Sequence, residues 1–215
     1  MARKSLQGVY LILDNRWAQK CSLVDVLKLA AGSGLKLFQY RNKTSPMREV
    51  FREAYRLREA AAEAEVLFIV NDRCDVALAV EADGVHLGQE DLPLDLARRI
   101  MGPRAIIGIS THRAEEVVKA AEEGADYIGF GPIYPTGTKI NHENPVGIDG
   151  IKEIRSMTSL PVFAIGGITP ETMGPCLAAG ANGVAVASAI LDSPEIERAV
   201  CGFTARLSST SSQAL

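Results

Sequence analysis

The chain has 215 residues, 47% of them hydrophobic, which is enough for a sizeable core; an α/β barrel commonly runs to ~200 residues or more as one unit, so length does not call for two domains. The 26 acidic against 23 basic residues and formal charge of −3 argue against nucleic acid or an anionic membrane as the partner, and any cluster of cations has to be local. Cys21, Cys74, Cys176 and Cys201 are scattered with no close spacing, which reads as reduced thiols and not as a metal or redox motif.

The basic start Met1-Ala2-Arg3-Lys4 leads into an apolar stretch that breaks at Asp14, too short for a signal-peptide core or a bilayer span. A soluble cytoplasmic protein is the expectation. Beyond it, apolar β-rich runs at 9–13, 35–39, 66–70, 84–87, 105–109, 127–130, 161–165 and 183–187 alternate with helical patterns. The runs are continuous, as in parallel strands covered on both faces. Between the second and third, Val50, Ala54, Leu57 and Ala61 recur at helical spacing, with Arg52, Glu53, Arg56 and Glu59 between them.

Ser45-Pro46, Thr169-Pro170 and Ser193-Pro194 each set a capping hydroxyl before a proline suited to the first helical position. Ala31-Gly32, Glu123-Gly124 and Ala179-Gly180 suit helix ends with a left-handed glycine. Residues 122–126 and 178–182 look like one turn used twice, a weak internal repeat. Strand-helix units with right-handed crossovers close most simply into a single (β/α)₈ TIM barrel over residues 1–207; an open doubly wound sheet is the competing fold. The connection from 134 to 147, rich in Gly, Pro, Thr and Asn, is long enough to cover an active site. Serine-rich residues 208–215 are expected to be a disordered tail.

In such a barrel the chemistry sits at the C-terminal ends of the strands, so the residues closing each apolar run should converge. They are Arg41 and Lys43, Asn71 and Asp72, Asp91, Ser110, Thr136 to Lys139, Gly166-Gly167 and Ser188. Two carboxylates, Asp72 and Asp91, can share one Mg²⁺ that takes its other ligands from water and phosphate, while Arg41, Lys43 and Lys139 balance the remaining negative charge. Gly166-Gly167 and Ser188 suggest a second anion site, and two anion sites imply two phosphorylated ligands. Taken singly, each residue has a plainer account. Asp72-Arg73 can be a surface ion pair at a helix start, Asp91 an N-cap, Gly166-Gly167 a turn, Lys139 a solvated lysine and His86 a hydrogen-bonded pocket residue. His112 and His142 read as loop positions, with no metal-ligand spacing among the histidines.

Together, Gln39-Tyr40-Arg41-Asn42-Lys43, Asn71-Asp72-Arg73, the stretch from Asp83 to Pro93 with His86-Leu87-Gly88-Gln89-Glu90-Asp91 at its heart, Gly108-Ile109-Ser110, the stretch from Gly131 to Lys139 and Ala164-Ile165-Gly166-Gly167-Ile168 closely resemble the thiamine-phosphate synthase family. The resemblance runs from about Val9 to Leu191. It implies condensation of hydroxymethylpyrimidine diphosphate with thiazole phosphate to thiamine phosphate and pyrophosphate. It further implies Mg²⁺ on Asp72 and Asp91, and pyrimidine diphosphate on Gln39, Arg41, Lys43, Asn71 and Lys139. By the same likeness Ser110 lies at the pyrimidine and its leaving group, and Thr136, Thr138, Gly167 and Ser188 take the thiazole phosphate. Lys139, Ser110 and Arg41 are the residues expected to act in catalysis. The family mechanism is dissociative: pyrophosphate leaves first, and the thiazole nitrogen captures the resulting pyrimidinylmethyl cation. Two other readings stay open, a thiazole tautomerase and a non-catalytic thiazole-phosphate sensor. The partners implied are small molecules, with a homo-oligomer left open.

Overall fold

The computed structural model describes residues 6–136 and 144–211, the side chains of 208–211 excepted. Strands and helices alternate: β1 (Gly8–Asp14), α1 (Leu23–Gly32), β2 (Leu37–Arg41), α2 (Met47–Glu63), β3 (Leu67–Asn71), α3 (Cys74–Ala79), β4 (Gly84–Leu87), α4 (Leu94–Met101), β5 (Ile106–Thr111), α5 (Ala114–Glu122), β6 (Tyr127–Phe130), α6 (Gly147–Arg155), β7 (Val162–Ile165), α7 (Met173–Ala178) and β8 (Gly183–Val186). A short α8 (Ser188–Leu191) and α9 (Ile196–Ser211) follow. Every strand pairs in parallel with its successor, and β8 returns to β1 with Gly8 opposite Gly183 and Leu11 opposite Val186. The sheet is a closed (β/α)₈ barrel, which removes the open doubly wound alternative.

All eight expected strands are present, with shifted ends. β2 and β3 begin after the expected runs do and extend through Arg41 and Asn71. The parallel ladder pairs backbone groups regardless of side-chain polarity, so Asp14 lies opposite Arg41 and Asn71 opposite His86 at the strand ends. These polar residues are therefore held by the sheet itself.

Most of the core lies between the sheet and its helices, where Leu11, Leu27, Phe38, Leu57, Phe68, Ile107 and Phe203 are buried. A smaller cluster of Tyr10, Ile12, Leu37, Leu67, Ile69, Tyr127, Phe163 and Ala185 fills the barrel. Three rings meet edge to face there, with centroids 5.8 Å apart for Tyr10 and Tyr127, 5.3 Å for Tyr10 and Phe163 and 5.6 Å for Tyr127 and Phe163. Glycines on neighbouring strands make room: a Cβ on Gly108 would overlap the Tyr127 ring, and one on Gly183 would lie 2.7 Å from Phe163 Cε1. This plug forces any ligand to sit above it, at the C-terminal rim.

At the opposite face the weak repeat has a physical basis. Asp126 Oδ2 accepts from the Ile107 amide and Asn182 Oδ1 from the Val162 amide, each at 2.9 Å, so the residue before an even strand ties down the start of the preceding odd one. Arg98 of α4 reaches Asp126 at 2.6 Å, as Arg155 of α6 reaches Asn182 at 3.3 Å. Asp83, accepting from Phe68 at 2.9 Å, is a third copy.

Several cap expectations need correction. Pro46 is itself the N-cap of α2 and not its first residue, and the Ser45 hydroxyl accepts from Asn15 instead. Thr169-Pro170 forms a turn before α7, whose N-cap is Thr172. Ser193 accepts from the Glu195 amide at 3.1 Å, but α9 begins at Ile196, so Pro194 precedes the helix and is not its first residue. Gly124 and Gly180 have the expected positive φ, but Gly34, not Gly32, makes that turn after α1 because Ser33 still caps the helix. All four cysteines are free thiols. The backbone of α9 continues through Ser211, into the segment expected to be a tail.

Candidate active site

At the end of β1, Asp14 is 2% exposed and accepts from Arg16 Nε at 3.1 Å on one carboxylate oxygen and from Arg41 Nη1 on the other. The Arg16 guanidinium also lies 4.8 Å over the Trp17 ring. Arg41, the last residue of β2, is thereby fixed from below by a buried charge. Asp14 was missed because it reads in the sequence merely as the break in an apolar run. Its signal is the one that exposed Arg41 and Asn71, a polar residue closing a strand.

The loop after β2 is folded by Asn42, whose Oδ1 accepts from the Thr44 and Ser45 amides at 3.2 and 3.1 Å. This turn presents Lys43, whose Nζ lies 2.9 Å from Asp72 Oδ2. Asp72 has a φ of 62°, a left-handed conformation uncommon for a residue with a side chain, and its amide is held by the His86 carbonyl at 2.8 Å. Burial raises the Asp72 carboxyl above the ordinary aspartate range; Lys43 opposes this, and Asp91, within hydrogen-bonding reach, adds to the rise. Asp91 in turn accepts from the Gly88 amide at 2.6 Å.

The two acids therefore meet on one rim. Neither plainer account of them holds: Arg73 pairs with Asp75 at 2.5 Å, away from Asp72, and the N-cap of α4 is Pro93, not Asp91. Two carboxylates held together, one with a raised pKa, fit a divalent cation. No group of three or more His, Cys, Asp or Glu side chains suited to a metal occurs among the described residues. Such an ion would thus take its remaining ligands from water and substrate, as Mg²⁺ does.

Gln39 and Ser110 lie deeper. Gln39 is 2% exposed and donates through Nε2 to Tyr10 Oη at 2.7 Å, which places it inside the barrel below the rim. Ser110, within β5, has its Oγ 3.0 Å from His86 Nε2. Asn71 closes β3 beside Asp72. Across the barrel the loop after β6 is stitched to β7, the Ile133 amide donating to Ile165 O at 2.8 Å and the Tyr134 amide to Gly166 O at 3.1 Å. Gly166 and Gly167 have φ of 100° and 64°, and a Cβ on Gly167 would stand 2.6 Å from Pro135 O. The glycine pair is thus required by close packing of that loop, which brings half-buried Thr136 toward the rim. Ser188 starts α8 immediately beyond β8. Thr138, Lys139 and most of the expected cover lie outside the described residues.

The family model for thiamine monophosphate synthase matches residues 9–190. The chain belongs to that family. Among its relatives, a thiamine-phosphate synthase of Methanospirillum hungatei is 47% identical over 193 residues, 89% of this chain and 93% of that protein. One of Chloroflexus aurantiacus is 41% identical over 207 residues, 96% and 95% of the two chains. A solved thiamine phosphate pyrophosphorylase of Pyrococcus furiosus superposes with a TM-score of 0.86 at 35% identity, covering 95% of this chain and 96% of that one. No helix among the described residues of this family member is long and apolar enough to cross a membrane.

Proposed function

We propose that this chain is a thiamine-phosphate synthase, joining hydroxymethylpyrimidine diphosphate to thiazole phosphate with loss of pyrophosphate by a dissociative route. The observation that carries this reading is the meeting of Asp72 and Asp91 beside Lys43. Asp72 and Asp91 would hold Mg²⁺, which when bound supplies charge stabilisation to the departing diphosphate.

Arg41, aimed by Asp14, and Lys43, now paired with Asp72, are cations available to that diphosphate, with Asn71 beside them; Lys139, outside the described residues, is proposed as a third. Ser110 donates toward the leaving group. Thr136, Gly167 and Ser188, with Thr138 from outside the described residues, would receive the thiazole phosphate, leaving the thiazole nitrogen to capture the carbon that loses pyrophosphate. No protein nucleophile is required; the chain contributes positioning and fixed charge. Both partners on this reading are small soluble molecules, met in the cytoplasm.

The deciding experiment follows pyrophosphate release with both substrates, with and without Mg²⁺, in the parent and in Asp72→Ala. The variant is expected to lose at least about 100-fold, the scale of an electrostatic clamp worth several kcal/mol. Turnover that survives complete chelation of metal ends the proposal.

A further inference from the structure

Below the rim, five polar side chains form a single file through the barrel. Gln39 Nε2 donates to Tyr10 Oη at 2.7 Å; Tyr10 Oη lies 2.8 Å from Tyr127 Oη; Tyr127 Oη lies 3.0 Å from His86 Nδ1; and His86 Nε2 lies 3.0 Å from Ser110 Oγ. Tyr10, Tyr127, Gln39 and His86 are all buried, and no buried side-chain nitrogen or oxygen among the described residues lacks a partner. Burial raises the pKa of both phenols, so each keeps its proton at neutral pH.

Proton counting gives the file a direction. Tyr10 Oη already accepts from Gln39, so its own proton goes to Tyr127. The Tyr127 proton goes to His86 Nδ1, which places the proton of the neutral imidazole on Nε2, facing Ser110 Oγ. Ser110 is then an acceptor from below, and its own proton is left to donate above. The reverse sense would require the Gln39 amide to turn its oxygen to Tyr10, so it is Nε2 facing Tyr10 Oη that selects this direction.

We propose that this file is a hydrogen-bond relay of fixed sense, in which Tyr127 and His86 are positioning residues that hold the Ser110 hydroxyl as a donor to the ligand above it. The relay rests on the reading that Ser110 faces the departing diphosphate. Its ends lie on β2 and β5, so the amide orientation of Gln39 and the donor role of Ser110 are set together.

The test assays pyrophosphate release with both substrates in the parent, Tyr127→Phe, Ser110→Ala and the double variant. Ser110→Ala is expected to lose about 100-fold in kcat, the scale of one oriented donor. Tyr127→Phe is expected to lose about tenfold in kcat with the KM for pyrimidine diphosphate nearly unchanged, and the double variant to fall no further than Ser110→Ala, since both changes cut one chain. Losses that multiply in the double variant, or a Tyr127→Phe kcat equal to the parent's, overturn the relay. A second arm guards against misfolding of Tyr127→Phe. Glutamine at 86 can accept from Tyr127 and donate to Ser110, so His86→Gln should retain most of the kcat that His86→Leu loses; equal losses overturn the relay. A parent that releases no pyrophosphate refutes the functional reading instead.

Discussion

Replacing Asp14 with asparagine removes the buried charge beneath Arg41 while leaving the shape of the side chain nearly intact. In the parent the carboxylate is 2% exposed and accepts from the Arg16 amide at 3.0 Å, from Arg16 Nε and Nη2 at 3.1 and 3.2 Å, and from Arg41 Nη1. Asparagine keeps the bond to the Arg16 amide and one further acceptor site. Removing one partner of a fully buried pair costs about 3–5 kcal/mol. Here the Arg41 and Arg16 side chains are 16% and 40% exposed, so water recovers part of the cost and about 2 kcal/mol is expected. For a domain of this size that lowers the melting temperature by about 4–8 °C.

The functional consequence is separate. Arg41 loses its orienting partner, and the KM for pyrimidine diphosphate should rise about tenfold, the effect of one weakened charge-assisted contact. Urea unfolding of Asp14→Asn, Arg41→Ala and the double variant measures the coupling. A value near 1 kcal/mol or more supports the ion pair, whereas additivity within about 0.3–0.5 kcal/mol refutes the reasoning.

Two further outcomes follow from the rim. Burial and the facing Asp91 raise the Asp72 carboxyl against the pull of Lys43, so the native chain binds this proton more tightly than the unfolded chain does. The ionised group therefore weakens folding at neutral pH, and that cost disappears as pH falls through the raised value toward the ordinary aspartate range of about 4. Asp72→Asn should unfold at higher urea than the parent at pH 7, with the gap closing in acid; a gap that does not change with pH contradicts this. Gly167→Ala places a Cβ 2.6 Å from Pro135 O and 2.9 Å from Tyr134 Cβ at a φ of 64°. It should cost about 1–3 kcal/mol of stability and raise the KM for thiazole phosphate, and an unchanged unfolding midpoint would show that the loop after β6 yields freely.

The barrel was legible because its signals are local and repeated. A continuous apolar run marks each strand, the stripe of Val50, Ala54, Leu57 and Ala61 marks α2, and left-handed glycines such as Gly124 and Gly180 mark the returns to the sheet. The rim acids were legible for the same reason, since Asp72 and Asp91 follow strands and a barrel gathers strand ends. Helix starts were less so. A hydroxyl before a proline was read as a cap, yet the extended backbone at Pro46, with ψ of 145°, keeps it outside α2 and turns Ser45 to Asn15. Local spacing cannot separate a proline at the cap from one at the first helical position.

The supports of the site were hidden for a different reason. Tyr10 and Tyr127 sit 117 positions apart and read in the sequence as core aromatics, and as rings they are; only closure of the sheet puts their hydroxyls 2.8 Å apart. Asp14 and Arg41 likewise become a pair through the register of β1 on β2. In both cases the polar group rides on a residue whose strand position is dictated by packing and whose hydrogen atom or charge is dictated by a partner on another strand. That division has a functional consequence. Loop residues such as Lys43 can move between Asp72 and a bound anion at small cost, because their pairing is half exposed. Arg41 and Ser110 cannot move without breaking a part-buried bond, so on the proposed function fixed donors would lie under the substrate and adjustable charges around it. On the proposed dissociative route that order would help: donors oriented before the ligand arrives would meet the developing charge, while the outer cations would rearrange as pyrophosphate leaves.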